Sequence, residues 1–272
     1  MQEFLAHPAV QAGAAPFVAA LVVALLLRPM KLAGLAIACG FAVAVFLIAG
    51  FEFTPLTTTR KIIVVSLAAA PFGLLLDLLV KRTPGATVGA AMLAAAVTPW
   101  VFFTVLRQKD PAVMATLGAG TALACAWLAG FMVSLRADAV RAGAASMALG
   151  VGVGVAAVLG ASASFGQYGI AIGAAGGAFL LSLCMLGPKT AAGSTLAMAA
   201  AMGAGLLACG TLVLASLPWL SLGMLALVPL AVRLPLPEKA NAWIKSAIAS
   251  VYALVPAAAA CFLAWQATST AS

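Results

Sequence analysis

Ten apolar stretches, separated by single or paired basic residues, prolines and short polar clusters, occupy this chain from Val10 to Ala264. A bilayer core about 30 Å thick needs about 20 apolar residues at a helical rise of about 1.5 Å each. All ten stretches approach that length, one only marginally. They run Val10 to Leu27, Leu32 to Gly50, Ile62 to Val80, Val88 to Leu106, Val113 to Leu135, Ala142 to Gly160, Gly169 to Leu186, Thr195 to Leu217, Leu220 to Leu234 and Ala242 to Ala264. The expected fold is therefore all-α: a polytopic transmembrane helix bundle of about ten spans, forming a single transmembrane domain over residues 1–272. The ninth stretch is the doubtful member, because it is short, contains Pro229 and is flanked by Pro218, Pro235 and Pro237. A re-entrant or tilted segment there would reduce the count to nine.

Composition closes off the soluble alternatives, since 65% of the 272 residues are apolar and only 7% are charged. The net charge of +8 does not point to nucleic acid, because the 14 Lys and Arg sit singly or in pairs between apolar runs. They read instead as a topological signal. Arg28, Lys31, Lys81, Arg82, Arg136, Arg141, Lys189, Arg233, Lys239 and Lys245 fall in alternate loops, whereas Arg60, Lys61, Arg107 and Lys109 fall in the others. Ten against four places the first set in the cytoplasm and both termini outside, in a bacterial cytoplasmic (inner) membrane. The N-terminal segment, with Glu3 and His7, lacks the basic start of a signal peptide, so the first span is expected to be retained.

The basic corners at Arg28, Lys81, Arg136, Lys189 and Arg233 recur every 53, 55, 53 and 44 positions. Leu27-Arg28-Pro29, Lys81-Arg82-Thr83-Pro84 and Gly187-Pro188-Lys189 share a local grammar as well. Tandem helical hairpins produce such a period, but so do any two spans with short loops, and a five-plus-five inverted repeat competes with both.

Chemistry-bearing residues are few. Cys39, Cys125, Cys184, Cys209 and Cys261 lie in apolar runs without a C-x-x-C, which reads as packing rather than a disulfide framework or thiolate metal site. A single histidine, His7, argues against bis-His haem ligation, a Ser/His catalytic pair and a His-rich metal site. Asp77 is the one acidic residue within a span, and Lys81 stands one turn later, so an i,i+4 pair near the membrane surface is the simplest account of it. Glu52 is expected to meet Arg60 or Lys61 in the polar loop 51–61, which reads first as a solvated turn and only secondarily as a cap over an entrance. Pro71, Pro99, Pro229 and Pro256 lie within spans, where a helix break can free backbone carbonyls, although a tolerated kink without a ligand is the simpler reading. Thr98-Pro99-Trp100 is the most suggestive of these sites: Thr98 is placed to satisfy a freed carbonyl, and Trp100 to face a cavity or the interfacial belt. Gly169, Gly173 and Gly177 form a stripe matched by Gly150 and Gly154, so the sixth and seventh spans are expected to pack closely. Gly173 should be its most sensitive member and Ala178 more tolerant.

No nucleophile, acid/base pair or metal set emerges, so the chain is not expected to be an enzyme or to carry a cofactor. Two readings remain. One is a permease-like protein for a small neutral, weakly polar or lipidic solute; the other is a non-catalytic scaffold or accessory subunit with a membrane partner or a second copy of itself. The lipid bilayer is the partner common to both. A carrier should hold a polar-lined pocket near mid-membrane, and a scaffold should be solid there.

Overall fold

A computed structural model describes residues 7–79, 84–160, 162–187, 192–215 and 217–269. Ten helices account for nearly all of them. These are α1 (Val10–Leu26), α2 (Ala33–Ala49), α3 (Thr58–Leu79), α4 (Pro84–Leu106), α5 (Pro111–Ser134), α6 (Ala139–Leu159), α7 (Ala163–Leu186), α8 (Gly193–Leu214), α9 (Trp219–Ala231) and α10 (Ala242–Ser269). Seven are long and apolar enough to cross a membrane, whereas α1, α2 and α9 are shorter apolar helices.

Local chemistry sets the helix ends. Asp138 caps α6, its Oδ1 accepting the Arg141 amide at 3.1 Å while its Oδ2 lies 3.3 Å from Arg141 Nε. Pro111 opens α5 at a position where no amide is missed. Gly50 and Gly187 terminate α2 and α7 at φ of 65° and 82°, a region costly for a side chain. Early in α1 the turn Val10–Ala14 is a π-helix, placed where Pro16 denies the Ala12 carbonyl its usual partner. The other prolines are accommodated within their helices. Pro71, Pro99, Pro229 and Pro256 all lie inside helices that continue past them, so no span is broken there.

Side-chain and backbone contacts gather the loops into two opposite faces. Arg28 Nη2 reaches the Leu186 and Gly187 carbonyls, the Arg136 carbonyl accepts the Gly193 amide, and Arg141 Nη2 donates to the Leu234 carbonyl. These segments form the basic face. Loop 50–57 and the start of α7 share the other face, as do the ends of α4 and α10. Exposed aromatic residues concentrate towards this second face, with Phe46, Phe51, Trp100, Phe103, Trp219 and Trp265 all open to the surroundings.

Helix α8 forms the centre: 89% of its most apolar window is buried, against 22% for α5. Its sequence is dominated by Ala, Leu and Gly, and the small residues let neighbours approach at backbone distance where lipid supplies no hydrophobic drive between helices. It packs along α3, with α5, α6 and α7 completing the surround. The most extensive pair is α6 with α7, followed by α3 with α8 and α4 with α5. Helices α1 and α2 pack together, as do α9 and α10, but α5 and α6, which flank the Arg136 corner, pack mainly against α4 and α8 and against α7 and α10.

Candidate functional site

The most polar cavity described lies on the face opposite the basic one. It holds about 260 Å³ between the end of α2, the loop that follows, the first turn of α3 and the first turns of α7. Glu52, Thr57, Thr59 and Arg60 line one side, and Ser164 and Tyr168 face them from α7. Thr57 and Ser164 are exposed, whereas Tyr168 is buried and closes the floor with its ring edge-on to Phe41, the centroids 5.9 Å apart. The wall thus offers a carboxylate, a guanidinium and four hydroxyls above an aromatic floor. Such a set can orient a small solute by hydrogen bonds in both directions.

Neither expected ion pair of this loop forms. Arg60 Nη1 instead donates to the Pro55 carbonyl at 3.0 Å, and Lys61 turns outward, its Nζ 4.9 Å from the Trp100 ring centroid and 3.5 Å from the Trp100 carbonyl. Both cations find acceptors within reach of the α3 N-terminus, and the one ion pair among the described residues is Arg141–Asp138. Glu52 therefore keeps its carboxylate at the cavity wall.

The basic face is tied rather than open. Asp77, near the end of α3, sits over the first turn of α8, where its Oδ1 accepts the Ser194 amide at 2.8 Å and its Oδ2 accepts the Thr195 amide and hydroxyl, both at 3.1 Å. The carboxylate caps a helix from another part of the chain, at the end where the helix dipole is positive. Its expected partner Lys81 lies outside the described residues. Gly193 makes room for this cap, with φ of 74° and an added Cβ only 2.6 Å from Asp77 Oδ2. Arg136, almost wholly buried, holds the same turn by its carbonyl to the Gly193 amide and by Nη1 to Ser194 Oγ at 3.3 Å. Arg28 ties α1 to the end of α7 through contacts of 2.6 and 2.8 Å.

The other sequence candidates separate into packing and surface. Thr98 is fully buried, but its Oγ1 donates to the Ala94 carbonyl at 2.7 Å, not to the Ala95 carbonyl that Pro99 leaves without a helical donor. Trp100 is half exposed beside Lys61, on the surface rather than in a cavity. Gly169 and Gly173 lie against α6 at backbone distance: an added Cβ would stand 2.6 Å from Gly154 and 2.7 Å from Val151 N. Gly177 is looser, its nearest neighbour Met147 Sδ at 3.7 Å, and Gly176 takes its place in the seam at 2.6 Å from Met147 N. Ala178, expected to be peripheral, is fully buried.

No family model matches this chain, and no curated protein is similar to it in sequence. Function therefore has to be read from the geometry. The vestibule was hidden in the sequence because residues 160–168 read as a turn, whereas α7 already begins at Ala163 and carries Ser164 and Tyr168 on helical turns. Contacts such as Arg28 to α7 and Asp77 to α8 join residues 117 to 159 positions apart, and no local pattern announces them. The same holds for Cys125 and Cys209, whose sulfurs lie 3.7 Å apart between α5 and α8.

Proposed function

We propose that the chain is a permease-like protein of the cytoplasmic membrane, with ten spans and both termini outside, taking a small neutral, weakly polar solute from the external side. The observation that carries this reading is the asymmetry of the two faces: a polar vestibule on one, and helix-to-helix polar ties on the other. An outward-open carrier has this arrangement, because access alternates when one set of contacts forms as the other breaks. The ten-to-four bias of Lys and Arg supports placing the tied face in the cytoplasm. Glu52, Ser164, Thr59 and Tyr168 would orient the solute, and Asp77, Arg136 and Arg28 would hold the far side shut.

The packing supports a five-plus-five plan over tandem hairpins. Five is odd, so α6 starts on the face opposite to α1, and the pairs α1–α2 and α4–α5 correspond to α6–α7 and α9–α10. Under the same correspondence α2–α7 and α3–α8 map onto themselves, as contacts across a pseudo-twofold must. No catalytic role enters this reading.

The solid centre around α8 favours the second reading, a non-catalytic scaffold. Thiol labelling separates the two. With the native cysteines replaced, Ser164→Cys should react with a membrane-impermeant maleimide added outside intact cells. Adding Asp77→Ala to loosen the tied face should slow that labelling roughly threefold or more, as the population shifts away from the outward-open form. Labelling only from the inside, or a rate indifferent to Asp77→Ala in correctly inserted protein, would favour the scaffold.

A further inference from the structure

A trough runs along the membrane-facing flank of the molecule between α4 and α5, remote from the vestibule and independent of it. It encloses about 310 Å³. Small residues make its floor, Ala91 on α4 with Ala126 and Gly130 on α5, while Val88, Leu123, Trp127 and Phe131 rise at its sides. From Leu123 to Ser134 the trough follows α5 for about 16 Å, close to the ~15 Å hydrocarbon depth of one leaflet. Trp127 stands part-way along it, where Nε1 donates to the Ala226 carbonyl at 3.0 Å and ties α5 to α9.

The outer end carries the charge. Arg233, just past α9, stacks over Phe131 with its guanidinium carbon 4.9 Å from the ring centroid, and Nη2 donates to Ser134 Oγ. That ring contact and that bond fix the plane of the guanidinium at the mouth of the trough, while four of its five N–H groups are left for other acceptors. Thr87, in the first turn of α4, lies at the same end. Planar two-pronged donation is suited to a phosphate. Among the described residues this face carries Arg28, Lys31, Arg136, Arg141, Arg233, Lys239 and Lys245 against Asp77, Asp138 and Glu238, so a ligand with net negative charge is preferred there.

We infer that this trough seats one acyl chain of an anionic phospholipid from the basic-face leaflet, with the lipid phosphate held at Arg233. A solvated anion has no use for a 16 Å apolar trough, and an apolar chain alone leaves Arg233 unused; a phospholipid uses both. Depth, floor and charge all match this one occupant.

Lipid retention by the purified full-length protein tests it. After reconstitution into equal phosphatidylglycerol and phosphatidylcholine and re-extraction into mild detergent, native mass spectrometry should show about one phosphatidylglycerol held per chain. Arg233→Gln should reduce that retention roughly tenfold, the loss expected for a charge-assisted contact. Gly130→Leu, which fills the floor without touching the charge, should do the same, and Arg107→Gln on the other face should not. Equal retention of phosphatidylcholine, or an unchanged level in Arg233→Gln, overturns the proposal. So does a wild-type mass showing a second copy of the chain in place of lipid. Should Arg233→Gln fail to fold, the wild-type preference and Gly130→Leu decide the matter.

Discussion

Asp77 accepts three hydrogen bonds from a helix 117 positions away, and this geometry changes what its substitution should do. Asn keeps one acceptor oxygen but turns its NH2 donor toward the other amide, so Asp77→Asn should recover only part of the cap and cost less than Asp77→Ala. Asp77→Ala removes the cap altogether and should lower stability by about 1 kcal/mol, visible as an earlier thermal unfolding midpoint in detergent. Equal midpoints for Ala and wild type would mean that water replaces the carboxylate without loss. The sequence indicated a structural carboxylate near a helix end but offered Lys81 as its partner, because a local search sees only residues one turn away. Arg136 was hidden for a related reason. In the sequence it is one more basic corner, and only the approach of the α8 N-terminus makes it a buried one. Trp100 was legible only as two alternatives, a cavity or the interfacial belt, and its half-exposed place beside Lys61 leaves it outside the cavities described.

At the scale of elements the helices were largely legible, because their length is dictated by the bilayer and their ends by Pro, Gly and charge. Helix α7 is the instructive exception. Its first six residues, Ala163 to Tyr168, are polar enough to pass for a turn, yet they are helical and place Ser164 and Tyr168 at the vestibule. The α6–α7 seam was anticipated from glycine spacing, but spacing alone did not distinguish Gly177 from Gly176. The four-residue stripe drifts around a helix of 3.6 residues per turn, so its last member leaves the contact and Gly176 enters it. Gly173→Ile should therefore destabilise by about 3 kcal/mol, the upper range for overpacking, because its Cβ would meet backbone that cannot yield. Gly177→Ala should fall within about 0.5 kcal/mol of wild type, since its neighbours sit at ordinary contact distance. Detergent thermal melts of the two variants side by side check the order; a more damaging Gly177→Ala would displace the seam by one position.

For the whole molecule, the sequence supplied the number of helices and the division of the loops into two faces, but not which helices touch. Arg136 looked like the corner of a hairpin; α5 and α6 instead turn to other neighbours, a choice made by small-residue faces spread over the entire chain. The three shorter helices have a further effect on the surrounding lipid. At 13 residues α9 is about 20 Å long, whereas α10 beside it, at 28 residues, is about 42 Å. On the proposed ten-span topology a bilayer core of about 30 Å matches neither, and tilt of α10 and thinning of the lipid next to α9 would share the hydrophobic mismatch. The pinch would fall on one flank only, leaving the annulus around the molecule uneven in thickness. Short-chain phosphatidylcholines should raise the unfolding midpoint relative to long-chain ones, and a midpoint indifferent to chain length would mean that α9 is shielded from lipid. An uneven annulus also gives the molecule a preferred place in the membrane: it should drift toward thin patches and turn its α9 flank to the thinnest lipid available.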